Sequence, residues 1–562
     1  MTARPVEGEF RTLPEVLRAA ARVNPDVEAY VEPAVPAAPG PDGDRSGDRS
    51  GAGTPRRSIT FAAWDAAADG VAGLLAAHGV GRGSVVCLVL TPSIDYAVAY
   101  AAAARLGAIT SGVNLRLGAD EVRSILERTR PAVTVLDDGA PVPSGAVGRV
   151  LRRLDLVGAA TGPPPGEWPD LDPSDPVAVV WTSGTTGLPK GAVFDHDSLR
   201  AVAEAADVLS AAGDRRLSPL PFAHVGSMTR VWDEAANGVT TVITPTPWKA
   251  VDAVAVMAAE RITVGQGVPT QWALVLARPE LADADLSALR IAGTGASRVP
   301  AELVAAMRRA LGVPVVVRYT STESSLGTGT VPGDPDEAVA TSVGRPVPGV
   351  ELRITEDGGD EAGPGSDVTP AADAPVREVP AGEVGRVRLR SAAVMRGYWG
   401  GPPTGPGADG LVFDREATDR VLAADGWVTT GDFGYLDEDG RLHLVGRANE
   451  LYIRGGYNVY PAEVEAAVGD LPGLDQVAVV GAPDPVLGEI GVAFVVPAPG
   501  TDPDPAELVV ALREAACRTL ADYKAPDRVV VVDRLPLTSM MKVDKRVLAE
   551  QAARETNGAH QS

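Results

Sequence analysis

The stretch VVWTSGTTGLPKGAVFDH, residues 179–196, places a flexible polar loop directly after a run of apolar residues. Residues 176–181 are almost continuously apolar, which predicts a short buried strand. After the loop, Asp197 and Ser198 are positioned to cap a helix with an apolar stripe. The pattern therefore predicts a strand, a loop and then a helix, as in an α/β protein.

The loop combines backbone freedom with hydrogen-bond donors. It contains three glycines, four hydroxyl residues and one lysine, which are Thr182, Ser183, Gly184, Thr185, Thr186, Gly187, Lys190 and Gly191. Successive backbone N–H groups, hydroxyls and a positive charge suit the oxygens of a polyphosphate. The glycine and lysine spacing departs from GxxxxGK[ST], which argues against a P-loop NTPase. A glycine-rich surface turn is the alternative, and the rest of the chain has to decide between the two.

Composition narrows the class of protein. The 562 residues suffice for several domains, and 51 Lys plus Arg against 74 Asp plus Glu give a net charge of −23. Because this charge repels polyanions, nucleic acid is not an expected partner. Cys87 and Cys517 are expected to be buried thiols in a reducing compartment. The first residues lack an apolar targeting core, and the longest apolar run is too short to span a bilayer, so we expect a cytoplasmic protein without a membrane span.

Helical and extended patterns alternate through most of the chain. A helical stripe through Phe61, Trp64 and Leu74 precedes an apolar strand at 85–90, and similar pairs follow. This alternation predicts a parallel sheet covered by helices. Two stretches near 33–57 and 357–382 are rich in Pro, Gly, Asp and Ser, and we expect solvated loops there.

The pattern changes near residue 447. Strands are predicted at 476–482, 491–496 and 528–533, with a helix between the last two. This is a compact α+β module of ordinary domain size. We therefore predict a large N-terminal domain, 1–446, and a small C-terminal domain, 447–562.

Several motifs in a fixed order resemble the adenylate-forming superfamily of acyl-CoA synthetases, nonribosomal adenylation domains and luciferases. They are TSGTTGLPKG (182–191), PLPFAHVGSM (219–228), IAGTGAS (291–297), RYTSTES (318–324), VGRPVPGVELRI (343–354), GWVTTGDFGYLDEDGRLHLVGRANELYIRGGYNVYPAEVE (426–465) and LPLTSMMKVDKRVL (535–548). The resemblance implies an α/β fold in which helix-flanked sheets form the large domain and the small C-terminal domain is mobile. It also implies ATP, Mg²⁺ and CoA as reactants or cofactors.

The implied reaction joins a carboxylate to the α-phosphate of ATP, releases pyrophosphate and passes the acyl group to a thiol. By resemblance, the loop from Thr182 to Lys190 grips the β- and γ-phosphates. Thr322 would lie beside the α-phosphate, and Glu323 would bind Mg²⁺. Because both reactants are anionic, the enzyme has to neutralise charge and hold the pair in line.

The same resemblance assigns the nucleoside. Tyr319 would lie against adenine, with Gly295, Ala296 and Ser297 along its edge. Asp432 would accept hydrogen bonds from the ribose hydroxyls. Arg447 would help to hold the ribose and phosphate.

The small domain would contribute the catalytic lysine. Lys542 resembles the lysine that neutralises charge between carboxylate and α-phosphate. Asn449 occupies the hinge position, about which the small domain would rotate after adenylation. Gly455 and Gly456 would then line a tunnel for the thiol arm.

The acyl site is implied by position as well. His224 would sit near the acyl substrate, between the carboxylate site and the thiol tunnel, whereas His196 is expected to be structural. The predicted pocket comprises Val225, Gly226, Met228, Thr229, Gly293, Thr294 and Thr320. This set offers no evident charged partner for a substrate tail, and it suits a short or medium acyl chain or an aryl acid.

Two departures from the family pattern leave alternatives open. Thr320 and Met541 each stand where the family usually has glycine. The first choice is a free-standing acid–thiol ligase that makes an acyl-CoA, with a separate carrier protein as another acceptor. The alternatives are amide formation, activation of nitrite to diazotise an aryl amine, and a relative that binds nucleotide without turnover. A homodimer is a family-level expectation only.

Overall fold

The computed structural model describes residues 3–34, 54–145, 147–182, 189–296, 299–356, 376–402, 412–448, 450–455, 457–469, 471–501, 504–538 and 541–559. Most of the two predicted solvated stretches, and residues Ser183–Leu188 of the glycine-rich loop, lie outside the described residues. Among the helices of the described ranges, none is both long enough and apolar enough to cross a bilayer.

The strands, numbered along the chain, are β1 (Glu28–Glu32), β2 (Arg57–Thr60), β3 (Val85–Val89), β4 (Ile109–Gly112), β5 (Val133–Leu136), β6 (Arg149–Arg152), β7 (Pro176–Trp181), β8 (Gly191–Asp195), β9 (Arg215–Ser218), β10 (Thr240–Ile243), β11 (Val264–Gln266), β12 (Ile291–Gly295), β13 (Val315–Ser321), β14 (Ser325–Gly329), β15 (Arg345–Pro346), β16 (Glu351–Thr355), β17 (Gly385–Arg390), β18 (Gly397–Gly401), β19 (Val412–Phe413), β20 (Trp427–Leu436), β21 (Leu442–Arg447), β22 (Tyr452–Arg454), β23 (Tyr457–Val459), β24 (Leu474–Asp484), β25 (Gly488–Pro497) and β26 (Arg528–Val531).

The α-helices are α1 (Leu13–Val23), α2 (Phe61–Ala77), α3 (Ile94–Arg105), α4 (Ala119–Thr129), α5 (Arg153–Ala159), α6 (His196–Glu204), α7 (Val225–Met228), α8 (Val231–Asn237), α9 (Ala250–Ala259), α10 (Pro269–Leu276), α11 (Ala301–Leu311), α12 (Asp336–Thr341), α13 (Arg415–Asp419), α14 (Pro461–Val468), α15 (Pro505–Ala516) and α16 (Lys545–Ala559). Short 3₁₀ turns occupy Asp207–Leu209, Pro279–Asp283 and Asp522–Lys524.

Two large sheets form the body of the protein. One has nine strands in the order β15-β14-β13-β12-β11-β9-β10-β1-β2, and the other has eight in the order β19-β18-β8-β7-β4-β3-β5-β6. A single apolar cluster contains side chains of α1, α2 and α3 and of strands from both sheets, such as Tyr30, Leu88 and Phe194. Helices α9 to α11 supply a second cluster with the nine-stranded sheet. The predicted α/β class with helix-flanked sheets is therefore confirmed.

The sheets are mixed rather than purely parallel. Their central strands pair in parallel, as β3 does with β4 and β5, whereas β13 and β14 are antiparallel, as are β7 and β8. A four-stranded antiparallel sheet, β16-β17-β20-β21, completes the large unit. Antiparallel pairs arise where a short loop joins consecutive strands, since a parallel neighbour requires a longer crossover.

After Arg447 the chain enters a separate small sheet. Strands β23-β22-β25-β24 are hydrogen bonded in that order, and β26 pairs with β25 in parallel. Helices α14 and α15 pack on one set of its side chains and α16 on the other. The strands and the intervening helix predicted from the sequence are confirmed.

Three local expectations need correction. The glycine-rich loop joins two antiparallel strands, β7 and β8, so a strand rather than a helix follows it. The helix follows this strand and begins at His196, before the predicted caps. Its N-cap is Asp195, whose carboxylate accepts a hydrogen bond from the Ser198 N–H at 2.8 Å. Cys517 is exposed, whereas Cys87 is buried and burial raises the pKa of its thiol to about 12. Cys517 follows the last turn of α15, where the helix ends and its side chain turns outward.

Candidate active site

The ends of the glycine-rich loop meet at a narrow neck. The Thr182 N–H donates to the Lys190 carbonyl at 2.8 Å, and the Lys190 N–H lies 3.4 Å from the Thr182 hydroxyl. The Lys190 ammonium lies 5.4 Å from the ring centroid of Tyr398, a cation–π distance. The loop residues Ser183, Gly184, Thr185, Thr186 and Gly187, predicted to hold phosphates, lie outside the described residues.

The turn between β13 and β14 holds the next two predicted residues. Thr322 and Glu323 lie between strands that pair through Ser321 and Ser325. The Tyr398 hydroxyl donates to Glu323 Oε1 at 2.7 Å. Burial, and then the Glu323 charge, raise the pKa of Tyr398, so this phenol remains a donor. Tyr398 therefore contacts both the predicted phosphate lysine and the predicted metal ligand.

The predicted nucleoside residues converge from three strands. Tyr319 donates its hydroxyl proton to Asp432 Oδ2 at 2.5 Å, and Arg447 Nε donates to Asp432 Oδ1 at 3.0 Å. Asp432 and Arg447 are direct partners in the pairing of β20 with β21. The Asp432 charge raises the pKa of Arg447, and burial followed by the same charge raises that of Tyr319. The carboxylate is thus held by two donors at the end of the sheet.

The edge of the predicted adenine site is built from unusual backbone. Gly295 has φ +158° and Ala296 has φ +66°. A Cβ on Gly295 would lie 2.2 Å from the Arg318 carbonyl oxygen, so only glycine fits between these strands. Ser297 lies outside the described residues.

Lys542 of the small unit lies near the charged nucleoside residues of the large unit. Its charge interacts with Arg447 and Asp432, and it also acts on His224. Burial first, and then Arg447, lower the pKa of Lys542 to about 8, while Asp432 opposes the shift. Lys542 of the small unit is therefore a neighbour in space of three residues of the large unit, Asp432, Arg447 and His224.

The backbone before Lys542 is strained. Met541 has φ +60°, a region that non-glycine residues rarely adopt. The turn is closed by the Thr538 N–H donating to the Lys542 carbonyl at 2.7 Å and the Met541 N–H donating to the Thr538 carbonyl at 3.0 Å. The sequence-based concern that Met541 cannot adopt positive φ cheaply applies, because the structure requires that conformation.

The two histidines lie in different parts of the large unit, and each accepts a backbone hydrogen bond. His224 precedes α7, and its Nδ1 accepts the Gly226 N–H at 3.1 Å. Burial first, and then the Lys542 charge, lower its pKa to about 4, so it is neutral at pH 7. His196 is buried, its Nδ1 accepts the Leu13 N–H at 3.1 Å, and burial lowers its pKa to about 4. That hydrogen bond ties α1 to α6 and supports the structural role of His196.

A cavity of about 120 Å³ lies beside His224. Six of the seven predicted pocket residues line it: Val225, Gly226, Thr229, Gly293, Thr294 and Thr320. Met228 instead belongs to the main apolar core and is 1% exposed. The expectation that the pocket lacks a charged partner is wrong, because Arg318 and Arg230 are also among the lining residues.

Of the three residues predicted for the second catalytic arrangement, Gly455 alone lies among the described residues. Gly455 has φ +58° in the turn between β22 and β23, and its N–H donates to the Leu487 carbonyl within the small unit. Asn449 and Gly456 lie outside the described residues. Next to the hinge position, Glu450 accepts a hydrogen bond from Lys545 of α16 at 2.9 Å.

Two residues of the site were missed in the sequence. Tyr398 is 75 positions from Glu323, and Arg318 precedes the RYTSTES tyrosine as an ordinary strand residue. Neither carries a local pattern that predicts its contacts. Among the described residues, no group of three or more His, Cys, Asp or Glu side chains could hold a metal ion unaided.

Comparison with known proteins gives matches along most of the chain. A family model described as AMP-binding enzyme matches residues 17–399, and one described as AMP-binding enzyme C-terminal domain matches 463–542. The chain is 33% identical over 521 residues to an indoleacetate–CoA ligase of Aromatoleum aromaticum, covering 89% of this chain and 95% of the relative. It is 30% identical over 557 residues to a long-chain-fatty-acid–CoA ligase of Mycobacterium tuberculosis, covering 95% and 97%. Among solved structures, ATP-bound MatB from Rhodopseudomonas palustris matches with a TM-score of 0.76 at 27% identity, covering 88% of this chain and 94% of that one.

Proposed function

The chain belongs to the AMP-binding enzyme family, and from this premise we propose that it activates a compact carboxylic acid for transfer to CoA. It is an acid–thiol ligase: it joins the acid to AMP, releases pyrophosphate and forms a thioester. The resemblance drawn from the motifs is confirmed.

The observation that carries the proposal is the meeting of two units at one site. Lys542 comes from the small unit, and Asp432 and Arg447 come from the large one, yet their charges act on each other. His224 and the cavity lie within the same group. A carboxylate in the cavity would therefore face the cationic groups that an attack on a phosphate requires.

In the first half-reaction the acid carboxylate attacks the α-phosphate and pyrophosphate leaves. Asp432 binds the ribose hydroxyls, while Arg447 and Thr322 lie toward the phosphates. Lys542 places its ammonium between the two anionic reactants and stabilises charge as the new P–O bond forms. Because the Lys542 pKa is about 8, the lysine is mostly protonated at pH 7.

The metal assignment rests on donor chemistry. Mg²⁺ prefers oxygen ligands and is usually held by one or two carboxylates together with substrate phosphates. Glu323 offers one carboxylate. The Tyr398 hydroxyl donates to only one of its two oxygens, Oε1. A Mg²⁺ ion bound there would neutralise phosphate charge and favour departure of pyrophosphate.

In the second half-reaction the small domain rotates about Asn449. Lys542 then leaves the site, and the Gly455–Gly456 turn approaches it so that a thiol arm can pass. His224 is neutral near pH 7, so it adds no charge that would attract or repel an approaching thiolate. The domain boundary at residues 446 and 447, a cytoplasmic location and a homodimer stay predictions.

The cavity limits the size of the acid. An apolar cavity of roughly 150 Å³ binds benzene, and this one has a volume of about 120 Å³ and is partly open. Thr320 and Arg318 occupy its wall, where a smaller side chain would leave a longer channel. We therefore propose a short acyl or single-ring aryl acid.

The test is pyrophosphate release from MgATP with a panel of short acyl, long acyl and aryl acids and nitrite. Each is assayed with no acceptor, with CoA, with a carrier-protein thiol and with an amine. Release with a compact acid, followed by CoA-dependent loss of the adenylate, is expected. Release only with nitrite, or transfer only to an amine or carrier thiol, would move the protein to that chemistry. ATP binding without release from any acid would indicate a non-catalytic relative.

A further inference from the structure

One side chain in the cavity wall has a charge that the adenylation step does not use. Arg318 lies on β13 two residues before Thr320, so both point to the same face of the strand. At about 3.4 Å per residue, Arg318 lies about 7 Å along the strand from Thr320, on the side away from the turn that holds Thr322 and Glu323. The Arg318 side chain is 10% exposed.

The Arg318 guanidinium is poorly satisfied. Its Nη1 and Nη2 atoms are buried and make no hydrogen bond. The nearest anion is Asp207, whose Oδ2 lies 3.6 Å from Nη2. Burial lowers the pKa of Arg318, and the Asp207 charge opposes this shift without cancelling it. Buried charged groups are normally both paired and hydrogen bonded, so this one calls for an explanation.

The rest of the cavity offers no alternative anion. Among the described residues that line it, two are arginines and none is an aspartate or glutamate. The second arginine, Arg230, differs because it donates to Asp233 at 3.0 Å and to the Ser210 hydroxyl at 3.1 Å. Arg318 is therefore the cation with unused donors, in a protein whose net charge is −23.

The fold also leaves room for this side chain. A Cβ on Gly329, which pairs with Arg318 across the β13–β14 ladder, would lie 1.9 Å from Nη1. The guanidinium thus occupies the space above a residue without a side chain. Any larger residue at 329 would push the charged group away from its present place.

We propose that the acid activated by this enzyme is a compact dicarboxylic acid, whose distal carboxylate binds Arg318 while its other carboxylate is adenylated. The inference rests on the proposed function, because it assigns the substrate of that same site. A planar guanidinium can donate two parallel hydrogen bonds to a carboxylate, and burial makes such a pair selective. Only one end of the substrate would become a thioester.

The experiment compares each dicarboxylic acid with a neutral partner of similar shape. Glutarate is paired with its monoamide, and isophthalate with m-toluate, and kcat/KM is measured by pyrophosphate release. The ratio of dicarboxylate to neutral partner is determined for the native enzyme and for Arg318→Met, Asp207→Asn and Arg345→Met. Arg345 is the control, since it is a half-exposed cation on the same sheet that pairs with Asp334 outside the cavity.

We expect the native enzyme to prefer the dicarboxylate and Arg318→Met to lower the ratio about a hundredfold, since a buried charge pair is lost. Asp207→Asn should raise the ratio, because it removes the competing anion and asparagine tolerates the φ of +49° at this position. Arg345→Met should leave the ratio unchanged.

A native ratio near one, or an Arg318→Met ratio equal to the native ratio, would overturn the inference. If Arg318→Met does not fold, a ratio that does not rise in Asp207→Asn has the same meaning. Adenylation of only the neutral acids would refute the inference and leave the proposed function standing. Silence with every acid would refute both.

Discussion

The pKa of Lys542 gives a prediction for the pH dependence of adenylation. Burial and the Arg447 charge lower this pKa to about 8, and the cationic form is the one that stabilises charge in the first half-reaction. Because the folded pKa is depressed, the free enzyme loses its active form as pH rises through 8. Between pH 7 and pH 9 the protonated fraction falls from about 90% to about 10%. We therefore expect kcat/KM for ATP to fall about tenfold over this range.

The assay is the initial rate of pyrophosphate release at concentrations of ATP and acid well below their KM values, since only then does the pH profile report groups of the free enzyme. His224 does not titrate in this window because its pKa is about 4. Lys542→Arg is the control variant, since arginine stays protonated. It should be slower than the native enzyme but show a flat profile. A native profile that stays level to pH 10 would refute the assignment of the depressed pKa to a catalytic lysine.

Three further predictions concern single residues. Met541→Gly removes left-handed strain of about 1 kcal/mol. We therefore expect the pre-steady-state burst of pyrophosphate to be up to about fivefold faster. An unchanged burst rate would show that the strain is present in both domain arrangements. Tyr398→Phe removes the donor that orients Glu323, so a Mg²⁺ titration should show about a tenfold higher requirement; an unchanged requirement would mean that the hydrogen bond has no part in metal binding. Asp432→Asn removes the charge that accepts from Arg447 and should raise the KM for ATP about tenfold or more at little change in KM for the acid; an equal rise for both would indicate general disruption of the site.

The sequence predicted those parts of the fold and site that local pattern encodes. Strand and helix alternation led to the α/β class, and the separate module after residue 447 was visible from its own apolar runs. The strand that ends at Trp181 was predicted correctly, but the strand Gly191–Asp195 was not, because it is too short to show a period. Two aspartates, Asp195 and Asp197, both resemble helix caps, and only the geometry selects the first.

Contacts between residues far apart in the sequence could not be predicted from local sequence patterns. Tyr398 has no motif that connects it to Glu323, and its role depends on where β18 is placed beside β8. Arg318 looks like a solvated strand residue until the turn at Asp207–Leu209 covers it. The exposure of Cys517 likewise depends on where α15 ends.

Strand β13 shows how the specificity for the acid substrate can change while the adenylation reaction is retained. Tyr319 points to the face that holds Asp432, whereas Arg318 and Thr320 point to the cavity. Because successive residues of a strand face opposite sides, substitution at 318 or 320 alters the acid pocket without removing the hydrogen bond that orders Asp432. Depth and charge of the pocket are therefore set by residues adjacent in sequence to the nucleotide site yet separated from it by the backbone itself. This separation explains how an arginine can be introduced so near the reaction while the adenylating residues stay in place.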